Sequence, residues 1–334
     1  AAVLLLFFVN INKISMHGFY RDRLLEAFMR RDPEGEDPND CALATLPQTA
    51  APYPIINTTL VTIDSPHPTL RGRGGENFIF SPLYCGSPST AHVKTAGYLG
   101  GTMDLATAFS ISGAAVDPNT GSTRSRALSF FMTLVNAKIG YWIAHPLHAG
   151  NVTEMTWNCG YAYAVLEMLG VWVNEDSYRV RLSDGGKFEN LGLYELVRRR
   201  CKRVIVCDAT ADPKCTFEDL GNAIEKARAD FGAQIELGVA PLLPLADGRS
   251  ALAGTTGTIR YADGTEGTLI YLTTMVTSGL SEDIYAYHRQ HPEFPDQPTL
   301  DQFFDEAQFE AYRALGHQIG DDVFARAQVQ ACFG

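Results

Sequence analysis

Apolar and polar positions along the chain change period several times, and each change marks an element. From Ser15 to Arg31 the apolar residues Phe19, Leu24, Leu25 and Phe28 recur near one face, the pattern of an amphipathic helix. Residues 32 to 54 are rich in Pro, Asp and Glu and read as a linker or surface loop. Strand-like runs follow at Ile55 to Ile63 and Phe78 to Phe80, split by the turn-rich segment Asp64 to Gly75. A helix is expected over Met103 to Ser112, with Thr102 as N-cap and Gly113 past its end, and another over Arg126 to Ile139.

The second half of the chain alternates strand and helix. Tyr178 to Leu182 alternates apolar and basic residues and runs into Ser183-Asp184-Gly185-Gly186. A helix from Leu191 to Arg200 leads to the apolar strand Val204 to Cys207, which ends at Asp208. A helix begins after Thr216, with Asp219 completing a capping box, and the strand Ile235 to Val239 comes next. This order predicts an α/β layer with a largely parallel sheet. Thr258 to Tyr261 and Thr268 to Leu272 flank Asp263-Gly264 and predict a hairpin. The last strong helix is expected over Asp301 to Leu315, capped by Thr299 with Gln302 and closed by Gly316.

Charge and cysteine usage narrow the function classes. A net charge of −11 excludes a nucleic-acid partner as the working expectation, because a phosphate backbone selects clustered Lys and Arg. The basic run Arg198, Arg199, Arg200, Lys202 and Arg203 sits at a helix end, where cations suit the dipole. The 7 cysteines form no C-x-x-C pair and are odd in number, which fits reduced thiols better than a disulfide framework. The apolar start, Ala1 to Val9, is too short to cross a bilayer alone, since a helix needs roughly 20 residues. Residues 1–12 are expected to be the end of a transmembrane helix, and 13–50 an amphipathic helix and linker. Lys13, Arg21 and Arg23 follow the span and place the remainder on the cytoplasmic side of a membrane.

Chemistry concentrates at Asp184. Reactive groups in α/β folds sit beyond the C-terminal ends of strands, and Gly185 and Gly186 leave a carboxylate there unshielded. Such an aspartate is able to deprotonate a serine hydroxyl as a general base. Asp-Gly-Gly alone is also an ordinary tight turn. No cofactor is expected. No metal is expected either, because His145/His148 and His288/His291 lack the further ligands that zinc needs, and no EF-hand loop is present. Arg71-Gly72-Arg73-Gly74-Gly75 lacks P-loop spacing and reads as a loop.

The run Asp184-Gly185-Gly186-Lys187-Phe188-Glu189-Asn190-Leu191-Gly192-Leu193, followed by a helix and a strand ending in Asp208, resembles the patatin-like phospholipase family around its catalytic aspartate. It is similar also to the related fungal lysophospholipases and cytosolic phospholipases A. Phe80 to Ser87, Gly97-Tyr98-Leu99-Gly100-Gly101 and Ala108 to Ala115 add two further matches in order. So do Phe19-Tyr20-Arg21-Asp22-Arg23 and Asp301 to Glu306, as in large bacterial membrane proteins with a patatin-like domain.

The resemblance implies a patatin and cytosolic phospholipase A-like layered fold, incomplete at the N-terminus, with residues 51–320 its C-terminal part. It implies hydrolysis of phospholipid or another acyl-ester lipid by a Ser-Asp dyad, with Asp184 as base and Gly185, Gly186 and Asn190 supporting the loop. The family's Gly-x-Ser-x-Gly elbow does not occur in these 334 residues, so the nucleophile is expected upstream and the chain inactive alone. Ser87 and Ser112 lack the elbow glycines and read as structural. The alternatives are a membrane-bound lipid-binding or scaffold protein of the same fold without activity, and an acyltransferase using the same residues.

Overall fold

The computed structural model describes residues 10–29, 41–46, 52–113, 140–148, 162–169, 171–297 and 305–333. The protein is mixed α/β and divides into two compact units, Ala1–Phe188 and Glu189–Gly334.

The first unit is built on six strands: β1 (Ile56–Val61), β2 (Gly75–Phe80), β3 (Tyr84–Ser87), β4 (Ala91–Lys94), β5 (Tyr141–Ala144) and β6 (Arg179–Asp184). Their order is β4-β3-β2-β1-β6-β5, and each neighbouring pair is antiparallel. Every residue of β6 is buried, so its two faces are both covered. Val180 and Leu182 face the apolar core with Leu60, Phe78, Phe80 and Ile111. Arg181 points to the opposite face, as strand alternation requires. Its guanidinium lies where a side chain at Gly140 would be and donates to the Leu182 carbonyl at 2.8 Å.

Two helices finish this layer. α1 (His17–Phe28) packs on α2 (Leu105–Ser112), and α2 lies against β1, β6 and the turn after Asp184. Asp104, rather than Thr102, caps α2: its carboxylate accepts the Thr107 amide at 2.7 Å, and Gly113 ends the helix. The Thr102 hydroxyl is already given to the Leu99 carbonyl. Arg21 of α1 binds the same cap, reaching Asp104 at 3.0 Å and the Thr107 hydroxyl at 3.2 Å.

Two expectations about the first fifty residues change. Ile11–Ile14 form a separate short helix, and the buried Asn12 amide exchanges two hydrogen bonds with the Trp142 backbone. This stretch is therefore docked on the sheet; residues 1–9 of the expected membrane span lie outside the described residues. Leu43, inside the expected linker, is fully buried in the core. No helix among the described residues is long and apolar enough to cross a membrane. The helix expected over 126–139 also falls outside the described residues.

The second unit holds β7 (Arg203–Asp208), β8 (Gln234–Leu237), β9 (Gly254–Arg260) and β10 (Glu266–Thr273), in the order β7-β10-β9-β8. The expected hairpin is there: β9 and β10 pair antiparallel, with Arg260 opposite Glu266 and the turn at Asp263-Gly264. β10 carries the continuous buried run Leu269 to Leu272 and takes the interior of the sheet, parallel to β7. One face is covered by α3 (Leu193–Arg198) and α4 (Glu218–Phe231), the other by α5 (Glu282–Gln290) and α6 (Glu306–Phe324).

The largely parallel sheet expected from the strand–helix order is not found among the described residues. Among the described strands only the β7–β10 pairing is parallel. β6 belongs to the antiparallel sheet, and β8 joins β9. Hydrophobic period establishes that a strand exists, but neighbours are chosen by long-range packing. Two helix boundaries also move. α6 starts at Glu306, capped by Asp305, and continues through Gly316 because Leu315, Ile319 and Val323 bury one stripe. α4 has no Thr216–Asp219 box, since Asp212 takes both the Thr216 hydroxyl and the Phe217 amide.

Candidate functional site

Asp184 is the last residue of β6, 7% exposed and opposite Thr58 of β1. Three features hold it. The Thr59 hydroxyl donates to its backbone carbonyl at 2.7 Å. The Ser183 hydroxyl donates to its Oδ1 at 2.9 Å. The chain then turns at once into a short 3-10 segment, Gly185–Lys187. A Cβ at Gly185 would stand 2.8 Å from the Asn57 carbonyl, so close approach of β1 requires glycine there. Gly186 is half-buried and adds no side chain either.

The surroundings come from α1, α2 and β1. The Ser112 hydroxyl donates to the Asn57 carbonyl at 2.8 Å, which ties the end of α2 to the strand beside Gly185. The Asn57 Oδ1 is buried with no hydrogen-bond partner among the described residues. Tyr20 of α1 reaches the same end of α2, where a Cβ at Gly113 would sit 2.5 Å from its phenol oxygen. Burial pushes the Tyr20 phenol up from its ordinary value, and the charge of Asp184 adds to that. Sequence reasoning used Tyr20 only as part of a resemblance; no local signal linked it to Asp184.

Asn190 belongs to the second unit. It is exposed, and its amide donates to Asp219 at 3.2 Å. Glu189, passed over in the sequence, makes the tighter local contacts: it accepts the Leu191 amide at 2.6 Å and the Tyr194 amide at 3.2 Å, securing the start of α3. Burial raises the Glu189 carboxyl above its usual range, with those amides pulling the other way. An acidic residue just before a helical run is the signal that would have found it.

The second unit has its own pocket, about 130 Å³, beyond the C-terminal ends of β7 and β10. Asp208, Asp212, Asp296, Phe217 and Tyr271 are among its walls. Its carboxylates serve the local frame. Asp208 accepts the Tyr271 hydroxyl at 2.6 Å, and the Thr210 amide and hydroxyl at 3.0 and 2.7 Å. Asp296 accepts the Asp212 amide at 2.8 Å. Burial, then the Asp212 charge, raises the Asp296 carboxyl.

The remaining candidates have structural partners. His145 Nδ1 accepts the Leu147 amide at 3.1 Å, and its ring stands 4.9 Å from that of His148. Burial, then His148, lowers the His145 pKa. His288 Nδ1 bonds the Phe294 carbonyl at 2.7 Å, and His291 stacks on Tyr287. Ser87 bonds Thr90. Among the described residues no group of three or more His, Cys, Asp or Glu could hold a metal ion. Compared with known proteins, the chain matches no protein-family model and no curated protein.

Proposed function

We propose that this chain is part of a patatin-like lipid acyl hydrolase, cleaving the carboxylic esters of phospholipid or lysophospholipid at the cytoplasmic face of a membrane. Asp184 is the general base of a Ser-Asp dyad, and the serine is supplied from outside these residues. The observation that carries the reading is the seating of Asp184. It ends a fully buried strand, its backbone is bonded to Thr59, and the glycine after it is demanded by contact with Asn57. A base must be held in one geometry to accept a proton efficiently, and this seating supplies that restraint. The patatin-like layered fold belongs to the same proposal and rests on the motif around Asp184, since the described sheets are mainly antiparallel.

The test is hydrolysis of a fluorogenic phospholipid by the full-length protein and its Asp184→Asn variant. Loss of turnover by a factor on the order of 10² to 10⁴, with the circular dichroism spectrum retained, is expected for removal of a general base. Turnover unchanged by the substitution contradicts the role of Asp184. Asparagine keeps the shape and one acceptor oxygen, so the seating itself should survive.

A further inference from the structure

We propose that the loop following the helix Ala162–Leu169 is a lipid-docking surface, with Trp172 entering the acyl-chain boundary of a bilayer. The inference goes beyond the hydrolase reading, and neither its grounds nor its test involves ester cleavage.

The loop gives one set of side chains to the fold and another to solvent. Val173 is buried in a small core with Ile11, Val61 and Trp142, and the buried Glu175 accepts the Ser65 hydroxyl at 2.6 Å. Trp172, beside Val173, is 65% exposed. Its backbone is nevertheless pinned. The Trp172 amide donates to Asp64 Oδ2 at 2.8 Å, and its carbonyl accepts the Ser177 hydroxyl at 2.8 Å. The Asp64 amide in turn donates to the Val173 carbonyl at 3.1 Å. The indole is therefore held out from a fixed backbone.

That backbone is also strained. Trp172 has φ of +58°, a left-handed conformation that glycine adopts freely and a bulky side chain does not. Strain of this kind concentrates at functional positions. The neighbours of Trp172 extend the exposed apolar surface. Leu169 and Val171 precede it, with the Val171 amide bonded to the Leu166 carbonyl at 3.0 Å. Tyr178 follows, exposed, its ring stacked on His148 with centroids 5.4 Å apart. The Tyr178 carbonyl accepts the His145 amide at 3.0 Å, which brings the turn carrying exposed Leu147 alongside. Apolar residues gathered in this way mark an interaction surface, whereas single scattered ones do not.

Two observations select a bilayer as the occupant. Residues 1–9, outside the described residues, are apolar throughout in sequence and lead into Ile11. Ile11 packs in the same small core as Val173, so a medium that receives this run lies beside the Trp172 loop. The second observation is chemical. Trp and Tyr set among Leu and Val have the make-up of a membrane-interface belt, where amphipathic rings sit at the headgroup level. Charge near the patch is of both signs: Asp64 and Asp176 stand against Arg71, which bonds the Ser65 carbonyl. Zwitterionic lipid therefore suffices, and salt should have little effect.

The test uses the 334-residue chain and phosphatidylcholine vesicles, one set carrying bromine on the acyl chains. Bromine quenches an indole only on contact, so quenching reports insertion. The chain has 3 tryptophans, and the share of position 172 is read as the difference from Trp172→Gly. Glycine suits the left-handed backbone, so this variant should melt no lower than the unmodified chain. The expected result is a quenched component that vanishes in Trp172→Gly, with vesicle binding by flotation weakened about tenfold or more. Leu147→Ser, a change outside the loop, should weaken binding less. Flotation equal in the two proteins, with no quenching at position 172, overturns the proposal and leaves residues 1–9 as the anchor. Failure of the unmodified chain to bind vesicles overturns it as well. So does Trp172 emission shielded from aqueous iodide before lipid is added, because the patch is then covered by the chain itself or by a second copy. A full-length protein that docks through Trp172 and cleaves no ester contradicts the hydrolase reading alone.

Discussion

Two strands of this protein end in an aspartate, and the two ends are held differently. β7 closes on Asp208, whose carboxylate accepts hydrogen bonds from the Tyr271 hydroxyl and from both the amide and the hydroxyl of Thr210. That aspartate is a staple. β6 closes on Asp184, where the backbone is held as well as the side chain: Thr59 holds its carbonyl, Asn57 presses on the following glycine, and the Ser183 hydroxyl donates to Oδ1. In the first case the carboxylate gathers its donors from β10 and the loop after β7. In the second the backbone on both sides of the residue is fixed as well, which suits the role proposed for Asp184. A strand-end aspartate is therefore sorted by where its restraints attach, a distinction that residue type cannot make.

Substitution at these two positions gives the largest contrast. Asp184→Asn should abolish most ester turnover and leave the melting temperature of the full-length protein nearly unchanged. Asp208→Ala should do the reverse, because it strands the Tyr271 hydroxyl and the Thr210 amide at a cost of about 1–3 kcal/mol each when buried. A thermal melt run beside the phospholipid assay checks both. Equal loss of activity and stability at the two sites would erase the distinction.

Gly185→Ala comes next in size. Its methyl group must displace the β1 backbone at Asn57, and overpacking of that kind costs about 1–3 kcal/mol. Denaturant unfolding should show the loss, with turnover reduced further than stability because the Asp184 turn moves. Tyr271→Phe is smaller. It removes one donor from Asp208 while the Thr210 bonds remain, so a loss of about 1 kcal/mol without effect on turnover is expected.

The smallest effect is one of pH in the second unit. The Glu189 carboxyl is raised in the fold, chiefly by burial. A raised carboxyl binds its proton more readily when folded than when unfolded. Its contribution is thus fully present below the unfolded value and is lost as pH rises through the folded one. Stability measured by denaturant at a series of pH values should decline slightly across that window. Glu189→Gln should flatten that decline; an unchanged slope would mean the burial of Glu189 has no energetic consequence.

The legibility of the fold in the sequence followed the range of the interactions. The β9–β10 hairpin was readable because Asp263-Gly264 is a local turn signal. Helix α2 was readable from its glycine stop and α4 from its period. α1 was placed by a period that its packing does not follow, since Phe19 and Phe28 are exposed and His17 and Leu25 are its buried residues. Strand neighbours were not, since nothing local in β7 says that it pairs with β10 instead of β6 or β8. The start of α6 was misplaced for a related reason. Thr299 and Asp305 are both good caps, and burial of Leu315, Ile319 and Val323 carries the helix past Gly316.

The candidate site divides in the same way. Asp184 at a strand end with two glycines was visible as a pattern. The approach of Tyr20, Asn57 and Ser112 was not, because it depends on how α1 and α2 lie on the sheet. Asn190, expected to support the Asp184 loop, gives its amide to Asp219. Glu189 secures the backbone that follows, a role that backbone amides decide and residue type only permits.

The most direct measurement of the central claim uses a fluorophosphonate probe on the full-length protein. Such probes phosphorylate a serine only where a base and an oxyanion site activate it. The account predicts labelling of one serine outside the 334 residues, slowed by a large factor in Asp184→Asn while the protein stays folded. Labelling that proceeds at the same rate without the Asp184 carboxylate, or no labelling of the unmodified protein, would contradict it.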